Sequence, residues 1–356
     1  MKEVKGLSRI KLIFLITAGA GLLIALILRI ISVSIISKVP GNKVAEMWAR
    51  EGGYTHITAY FTPDAGVDAQ TLEYLHYQIE EKLNAESITT DEEYPNAKLT
   101  ESCFAANGTI SVSSKKANLT MNAVGVSADY FKIHPQKMLS GVYFSGNDLN
   151  EDYCIIDKSA AWKLFGSTDI AGQVIYVGDT PLVIRGVFEQ PTDKLSFAAG
   201  SREDTCYISY SYLANNGMIY GMTSYDIVMP NPVPDYAMAK LKPMLSVSED
   251  KMELIENTKR FSIMKSLKNL KGVFYRSMRT KAVVYPWWEN IARNKADEVS
   301  VLTLFFVIAL SYAGLVILAL AVILFIQNKD LIGHQFVRLY EWICSLIAYK
   351  KREEGL

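Results

Sequence analysis

Four cysteines and four histidines among 356 residues leave little material for a disulfide scaffold, a metal cluster or a histidine-based active site. No Cys-x-x-Cys pair occurs. Cys103, Cys154 and Cys206 are widely spaced, and either one disulfide with a spare thiol or three reduced thiols fits them. His56, His76 and His134 are scattered without His-x-x-x-His spacing, so no metal ligand and no cofactor is assigned from them. A G-x-S-x-G nucleophile elbow is missing too, and no catalytic residue is nominated. The sequence contains no G-x-x-x-x-G-K-[ST] phosphate loop, which excludes a phosphate-loop ATPase within these residues. Lys and Arg number 37, as do Asp and Glu, so the balance points to no nucleic acid and no acidic partner.

Charge is also absent from two long blocks. Leu12 to Leu28 carries none, and the apolar run resumes after Arg29; Val299 to Ile326 carries none at all. A helix needs roughly 20 apolar residues to cross a bilayer. Both blocks reach that length once Arg29 snorkels at a boundary. A cleaved signal peptide is the competing reading of the first block. Its run exceeds an h-region of about 7–15 residues, and no clean A-x-A site follows, so a retained helix is expected. Lys2, Lys5, Arg9 and Lys11 flank one block, and Lys329, Arg338, Lys350, Lys351 and Arg352 follow the other. Positive flanks stay in the cytoplasm. The expected layout is a cytoplasmic N-terminus (1–11), a transmembrane helix (12–36), an extracytoplasmic domain (37–298), a second transmembrane helix (299–326) and a cytoplasmic tail (327–356), in a cell membrane.

Within the domain, Tyr54–Phe61 is β-branched and aromatic and predicts a strand. Leu72, Leu75, Ile79 and Leu83 recur at helical spacing, with Glu73, Glu80, Glu81 and Lys82 off that stripe. Extended segments follow at Lys98–Ala105, Thr109–Ser113 and Leu119–Val126, completing a β-α-β unit. A similar unit is expected later: a strand at Tyr225–Met229, a helix at Tyr236–Leu245 and a returning strand at Phe261–Met264. Between the two units, Asp157 is placed to cap a helix over Lys158–Phe165, closed by Gly166. Gln173–Val177 and Leu182–Val187 flank a Gly178-Asp179 hairpin turn. The fold class expected is α+β, as a discontinuous subdomain carrying an insertion between two transmembrane helices.

The series Val126-Ser-Ala-Asp-Tyr-Phe131, Gly141-x-Tyr143-Phe144, Asp148, Leu164-Phe165-Gly166, Gly172-Gln-x-Ile175 and Ile184-Arg-Gly-Val187 resembles the periplasmic core domain of MacB-type ABC transporter permeases, over residues 8 to 326. The resemblance implies a Porter-like part of β-α-β units (44–125 and 222–284) with an inserted Sabre-like part (126–221). It also implies a permease-like subunit that dimerises or pairs with another permease, sits on a separate cytoplasmic ATPase and passes ATP-driven motion to the outer domain. Family members extrude peptides or drugs, handle lipoproteins or sense peptide antibiotics. The full permease pattern has three helices after the domain, where this sequence has one clear apolar run. Tyr285-Pro-Trp-Trp-Glu-Asn290 looks like an aromatic stretch of short, two-helix relatives. A non-transporting, membrane-anchored scaffold or sensor is the alternative reading.

Tyr285, Trp287 and Trp288 are read as interfacial anchors before the second helix. Thr17, Gly21 and Ala25, with Ala309 and Ala313, form small-residue faces fit for close helix packing. Ile332, Phe336, Leu339, Ile343 and Leu346 line one face of the tail, which suits a helix on membrane lipid or a face docked on an ATPase.

Overall fold

The Leu72, Leu75, Ile79, Leu83 stripe is buried against a sheet, and the rest of the architecture is arranged around that contact. The computed structural model describes residues 9–39, 41–48, 53–89, 98–127, 129–145, 151–202, 204–273, 282–329 and 342–343. In chain order the elements are α1 (Arg9–Ile36), α2 (Val44–Trp48), β1 (Tyr54–Phe61), α3 (Ala69–Ala85), β2 (Glu101–Ser113), β3 (Asn118–Val126) and α4 (Tyr130–Ile133). Next come β4 (Lys137–Gly141), β5 (Tyr153–Asp157), α5 (Lys158–Phe165), β6 (Val174–Val177), β7 (Thr180–Glu189), α6 (Lys194–Ala199), β8 (Thr205–Ser209) and α7 (Tyr210–Asn215). The last are β9 (Ile219–Pro230), α8 (Tyr236–Met244), β10 (Met252–Glu256), α9 (Ile263–Asn269) and α10 (Trp287–Gln327).

The sheet runs β10-β1-β9-β2-β3-β8-β5-β7-β4, with β6 paired to β7 and touching β2. Its first four strands are antiparallel neighbours. Two β-α-β units, β1-α3-β2 and β9-α8-β10, interleave to make them, which is the split, ferredoxin-like order. α3 and α8 cover one face with an apolar core that includes Ile57, Phe61, Tyr225, Ile227 and Leu241. The opposite face carries Val44, Cys103, Tyr130, Ile133 and Val228. The intervening strands build a third core around Ile156, Leu164, Ile175 and Ile184. β3 joins the two halves: it is hydrogen-bonded antiparallel to β2 on one side and parallel to β8 on the other.

Two expected segments differ. Lys98–Ala105 and Thr109–Ser113 are not separate: β2 continues through Asn107-Gly108, where its pairing with β9 slips. Gly108 permits this, since a Cβ there would lie 2.1 Å from the Met218 carbonyl oxygen. The returning strand is Met252–Glu256, not Phe261–Met264. Ser262 accepts a hydrogen bond from Lys265 N and starts α9, so the apolar pair there belongs to a helix.

α5 forms as its caps dictate. Asp157 Oδ1 accepts from Ala160 N at 3.0 Å, and Gly166 closes the helix in the left-handed region at φ 75°. The second carboxylate oxygen accepts from Asp204 N at 3.1 Å. Asp157 is buried, and that desolvation raises its pKa from 3.8 to about 6 despite these bonds. The folded state therefore holds the proton more tightly than the unfolded chain. The Asp157 contribution is thus greatest below about pH 4 and falls as pH rises from about 4 to 6, by about 2–3 kcal/mol at most. The Asp157→Ala variant is expected to lose that sloping segment and to lose about 1 kcal/mol of capping. Thermal midpoints of both proteins at pH 4 and pH 7 check it; parallel pH profiles would refute the assignment.

α1 (28 residues) and the apolar part of α10 are each long and apolar enough to cross a membrane. α10 is 41 residues long and begins at Trp287, well before the charge-free block. The polar first turns belong to the domain, where Glu289, Ile291 and Ala292 are buried. Along the apolar pair, a Cβ on Gly21 would approach Ala313 Cβ and Tyr312 Cδ1 at 3.2 Å.

Candidate functional site

The sheet face opposite α3 and α8 is where the described polar groups converge. Register places them: Asp226 on β9 stands opposite Thr58 of β1 on one side and Cys103 of β2 on the other. His56 lies two residues before Thr58, on the same face. His134 follows α4, whose first residue Tyr130 packs its ring 4.8 Å from the His134 ring. Trp288, from the first turn of α10, packs on His134 from another side at 5.2 Å.

Asp226 is buried, and its two oxygens differ. Oδ1 accepts from Thr58 Oγ1 at 2.6 Å and lies 2.9 Å from His56 Nε2. Asn257 Nδ2 donates to Thr58 Oγ1 at 2.8 Å and faces His56 Nδ1 at 3.4 Å, so the His56 proton belongs on Nε2. Oδ2 lies 3.0 Å from His134 Nε2, but neither atom has a hydrogen-bond partner of proper geometry. Burial alone would raise the Asp226 pKa; the charge of the neighbouring His134, with the hydrogen bond from His56, outweighs it and holds the carboxyl well below its ordinary value. Cys103 is buried beside this carboxylate. Burial first, and then the Asp226 charge, push its thiol well up, so it is not a nucleophile on its own. The Thr58 hydroxyl is committed to Asp226 and is not placed to be deprotonated by His56.

His56, Thr58 and His134 also line a cleft of about 710 Å³, whose rim includes Lys137, Glu189, Asp193, Arg260 and Trp288. Glu289 is buried at its base. It accepts from Arg260, from Arg293 Nε at 2.9 Å and from the Tyr60 hydroxyl at 3.4 Å. Burial, followed by the Glu289 charge, raises the Tyr60 pKa well above the usual phenol range.

The residues singled out from sequence fall in three places. Tyr285 donates to Glu253 and lies under Arg293, whose Cζ is 3.8 Å from the ring centre. Trp287 and Trp288 meet edge to face at 5.8 Å, both half-buried and lining the cleft. These are contacts within the domain that the aromatic pattern did not disclose. Ala18, Gly21, Ala25 and Ser32 are buried along α1, Ala313 is buried on α10, and Gly21 faces Ala309 and Ala313. Thr17 returns its hydroxyl to the carbonyls of Ile13 and Phe14. Of the tail face, Ile332, Phe336, Leu339 and Leu346 lie outside the described residues, and Ile343 is exposed. Cys103, Cys154 and Cys206 are free and buried.

The convergence of His56, His134, Cys103 and Asp226 was not found from the sequence. The available signal was Asp226 itself, a single acid inside the apolar run Tyr225-Asp-Ile-Val-Met229, where burial demands a partner. His76 stays apart on α3, beside Glu80 and Thr100.

Residues 20–255 match the family model of the MacB-like periplasmic core domain. Among curated proteins, the Macrolide export ATP-binding/permease protein MacB of Pasteurella multocida is 27% identical over 161 residues, 43% of this chain and 23% of that protein. The protein of the same name from Chromobacterium violaceum is 35% identical over 77 residues, 20% of this chain and 12% of that protein. The chain thus spans less than a quarter of the length of these relatives. Among solved structures, the periplasmic region of MacB from Actinobacillus actinomycetemcomitans aligns with a TM-score of 0.42 at 14% identity, over 62% of this chain and 95% of that one. The extracellular domain of the transporter YknZ from Gram-positive bacteria aligns at 0.38 and 15%, over 56% and 99%.

Proposed function

Because the chain belongs to the MacB-like periplasmic core domain family of ABC-transporter-type permeases, we propose that it is a permease-like membrane subunit coupling a separate cytoplasmic ATPase to its outer domain. Both termini would lie in the cytoplasm, as the basic flanks favour. The observation that carries this reading is α10. It starts at Trp287 with Glu289 held between Arg260 and Arg293, and it runs unbroken to Gln327 through a stretch apolar enough to span a bilayer. A continuous helix passes an axial shift or a rotation along its length, and the Tyr60–Glu289 hydrogen bond and the Arg293–Glu253 ion pair would deliver it to β1 and β10. A homodimer, or a pair with a longer permease, would supply the second half of such a device.

The test is co-expression of the tagged full chain with candidate phosphate-loop ATPases and purification in detergent, with ATP hydrolysis as readout. An ATPase that co-purifies, and whose turnover changes on deletion of residues 329–356, supports the coupling. If none does so, the coupling reading is wrong. The cleft at His134 favours a second reading, a membrane-anchored sensor of outer ligands. That one predicts no ATPase dependence.

A further inference from the structure

Four buried polar atoms without a hydrogen-bond partner belong to His134 and to side chains in contact with it: His134 Nε2, Asp226 Oδ2, the Tyr130 hydroxyl and Trp288 Nε1. One such atom in a core is a strain to be explained; several on side chains in contact point to a missing partner. Two of the four, His134 Nε2 and Asp226 Oδ2, lie 3.0 Å apart. With Cys103 Sγ they form a triangle whose corners are all within 4.8 Å of one another. The Asp226 and His134 side chains are only 1% and 10% exposed.

We propose that Cys103, His134 and Asp226 bind a divalent transition-metal cation of the zinc type. The donor set is one sulfur, one imidazole nitrogen and one carboxylate oxygen, which suits borderline ions and disfavours calcium or magnesium. The dimensions agree. Bonds of about 2.0–2.1 Å to nitrogen and oxygen at a tetrahedral angle put those two atoms about 3.3 Å apart, and about 2.3 Å to sulfur keeps the third within reach. The two oxygens of Asp226 divide the work. Oδ1 is saturated by Thr58 and His56, which fixes the carboxylate plane, and Oδ2 is left toward His134 and Cys103. His56 is thus a positioning residue that orients the ligand carboxylate. Three protein donors leave a fourth position to water or an outside ligand, and His134 lies on the wall of the cleft, which provides an entry path. Binding would release the Cys103 proton, since the ligand is the thiolate.

The bound ion would tie β2 and β9 to the segment after α4. That joins the split β-α-β half of the domain to its insertion, beside the first turn of α10.

The experiment uses the full chain in detergent, purified with a chelator and a non-coordinating reductant, then given zinc chloride or cobalt chloride. We expect one equivalent of zinc by elemental analysis, with a rise in thermal midpoint. Cobalt should give the visible bands of a tetrahedral thiolate complex. Cys103→Ser should abolish the sulfur-to-cobalt charge-transfer band, and His134→Ala should weaken zinc binding at least tenfold. His56→Ala should weaken it roughly 10–100-fold while keeping the thiolate band. Absence of stoichiometric uptake by the wild-type chain overturns the proposal, and that measurement does not depend on any variant folding. Uptake that Cys103→Ser and His134→Ala leave unchanged, or a cobalt spectrum without a thiolate band, also overturns it by placing the ion elsewhere.

Discussion

Replacing Glu289 by alanine is expected to destabilise the domain by about 3–5 kcal/mol, the range for removing one partner from a buried ion pair. Glu289 is 2% exposed, and its partners Arg260 and Arg293 are 11% and 19% exposed. Deleting the carboxylate leaves two desolvated guanidinium groups facing each other's field; among the described residues, only Arg293 keeps a second carboxylate, Glu253 at 2.6 Å, in view. The loss should appear as a marked fall in thermal midpoint of the full chain in detergent. Glu289→Gln should fall between the two, since it restores acceptor geometry without charge. The control is Glu249, exposed and paired with Lys242 on the surface; its removal should change stability by less than about 1 kcal/mol. Equal effects at the two positions would show that α10 is not held by its first turn.

The second large effect belongs to Gly141. Its φ is +72°, and a Cβ there would lie 2.1 Å from the Arg185 carbonyl oxygen and 2.7 Å from Gly186 Cα. Gly141 faces Gly186 across the β4–β7 pair, so two backbones meet where neither strand can carry a side chain. Gly141→Ala adds the strain of a positive φ, about 1–3 kcal/mol, to a clash that no rotamer relieves. β4 has β7 as its sheet neighbour and ends the sheet order, so the expected outcome is its detachment. Limited proteolysis should then cut near 137–145 at rates the wild type does not show. Gly178 separates the two causes: its φ is +58° but no atom lies within 4 Å of its Cβ position. Gly178→Ala should therefore show the strain alone. A Gly141→Ala protein as protease-resistant as the wild type would contradict this account of the edge.

What could be read in the sequence was local. Asp157 and Gly166 specify the two ends of α5 within ten residues, and the chain obeys them. Helical spacing disclosed the buried face of α3, and β-branched and aromatic content disclosed β1. The long-range part was not readable because it depends on register. Asp226 meets Thr58 and Cys103 only once β9 has entered between β1 and β2 at one alignment, and a shift of one residue would turn the carboxylate to the other face. The returning strand shows the same limit in miniature. Met252–Glu256 is flanked by charge and looks weaker than Phe261–Met264, yet pairing with β1 selects it.

The interleaved order of the first four strands bears on how the chain is made. β1 is flanked by β9 and β10, and Thr55 bonds to Glu256 across 201 residues of chain. At about 5–20 residues per second, synthesis leaves β1 without that neighbour for roughly 10–40 seconds. During this interval both edges of an apolar strand are open to pairing with the wrong partner. The segment from the second half of β2 to α7 has its own core and can form while β1 waits. Assembly should then proceed from the insertion inward, with the chain's first strand among the last to be locked. A nascent protein arrested before residue 219 would carry β1 with both of its edges unpaired.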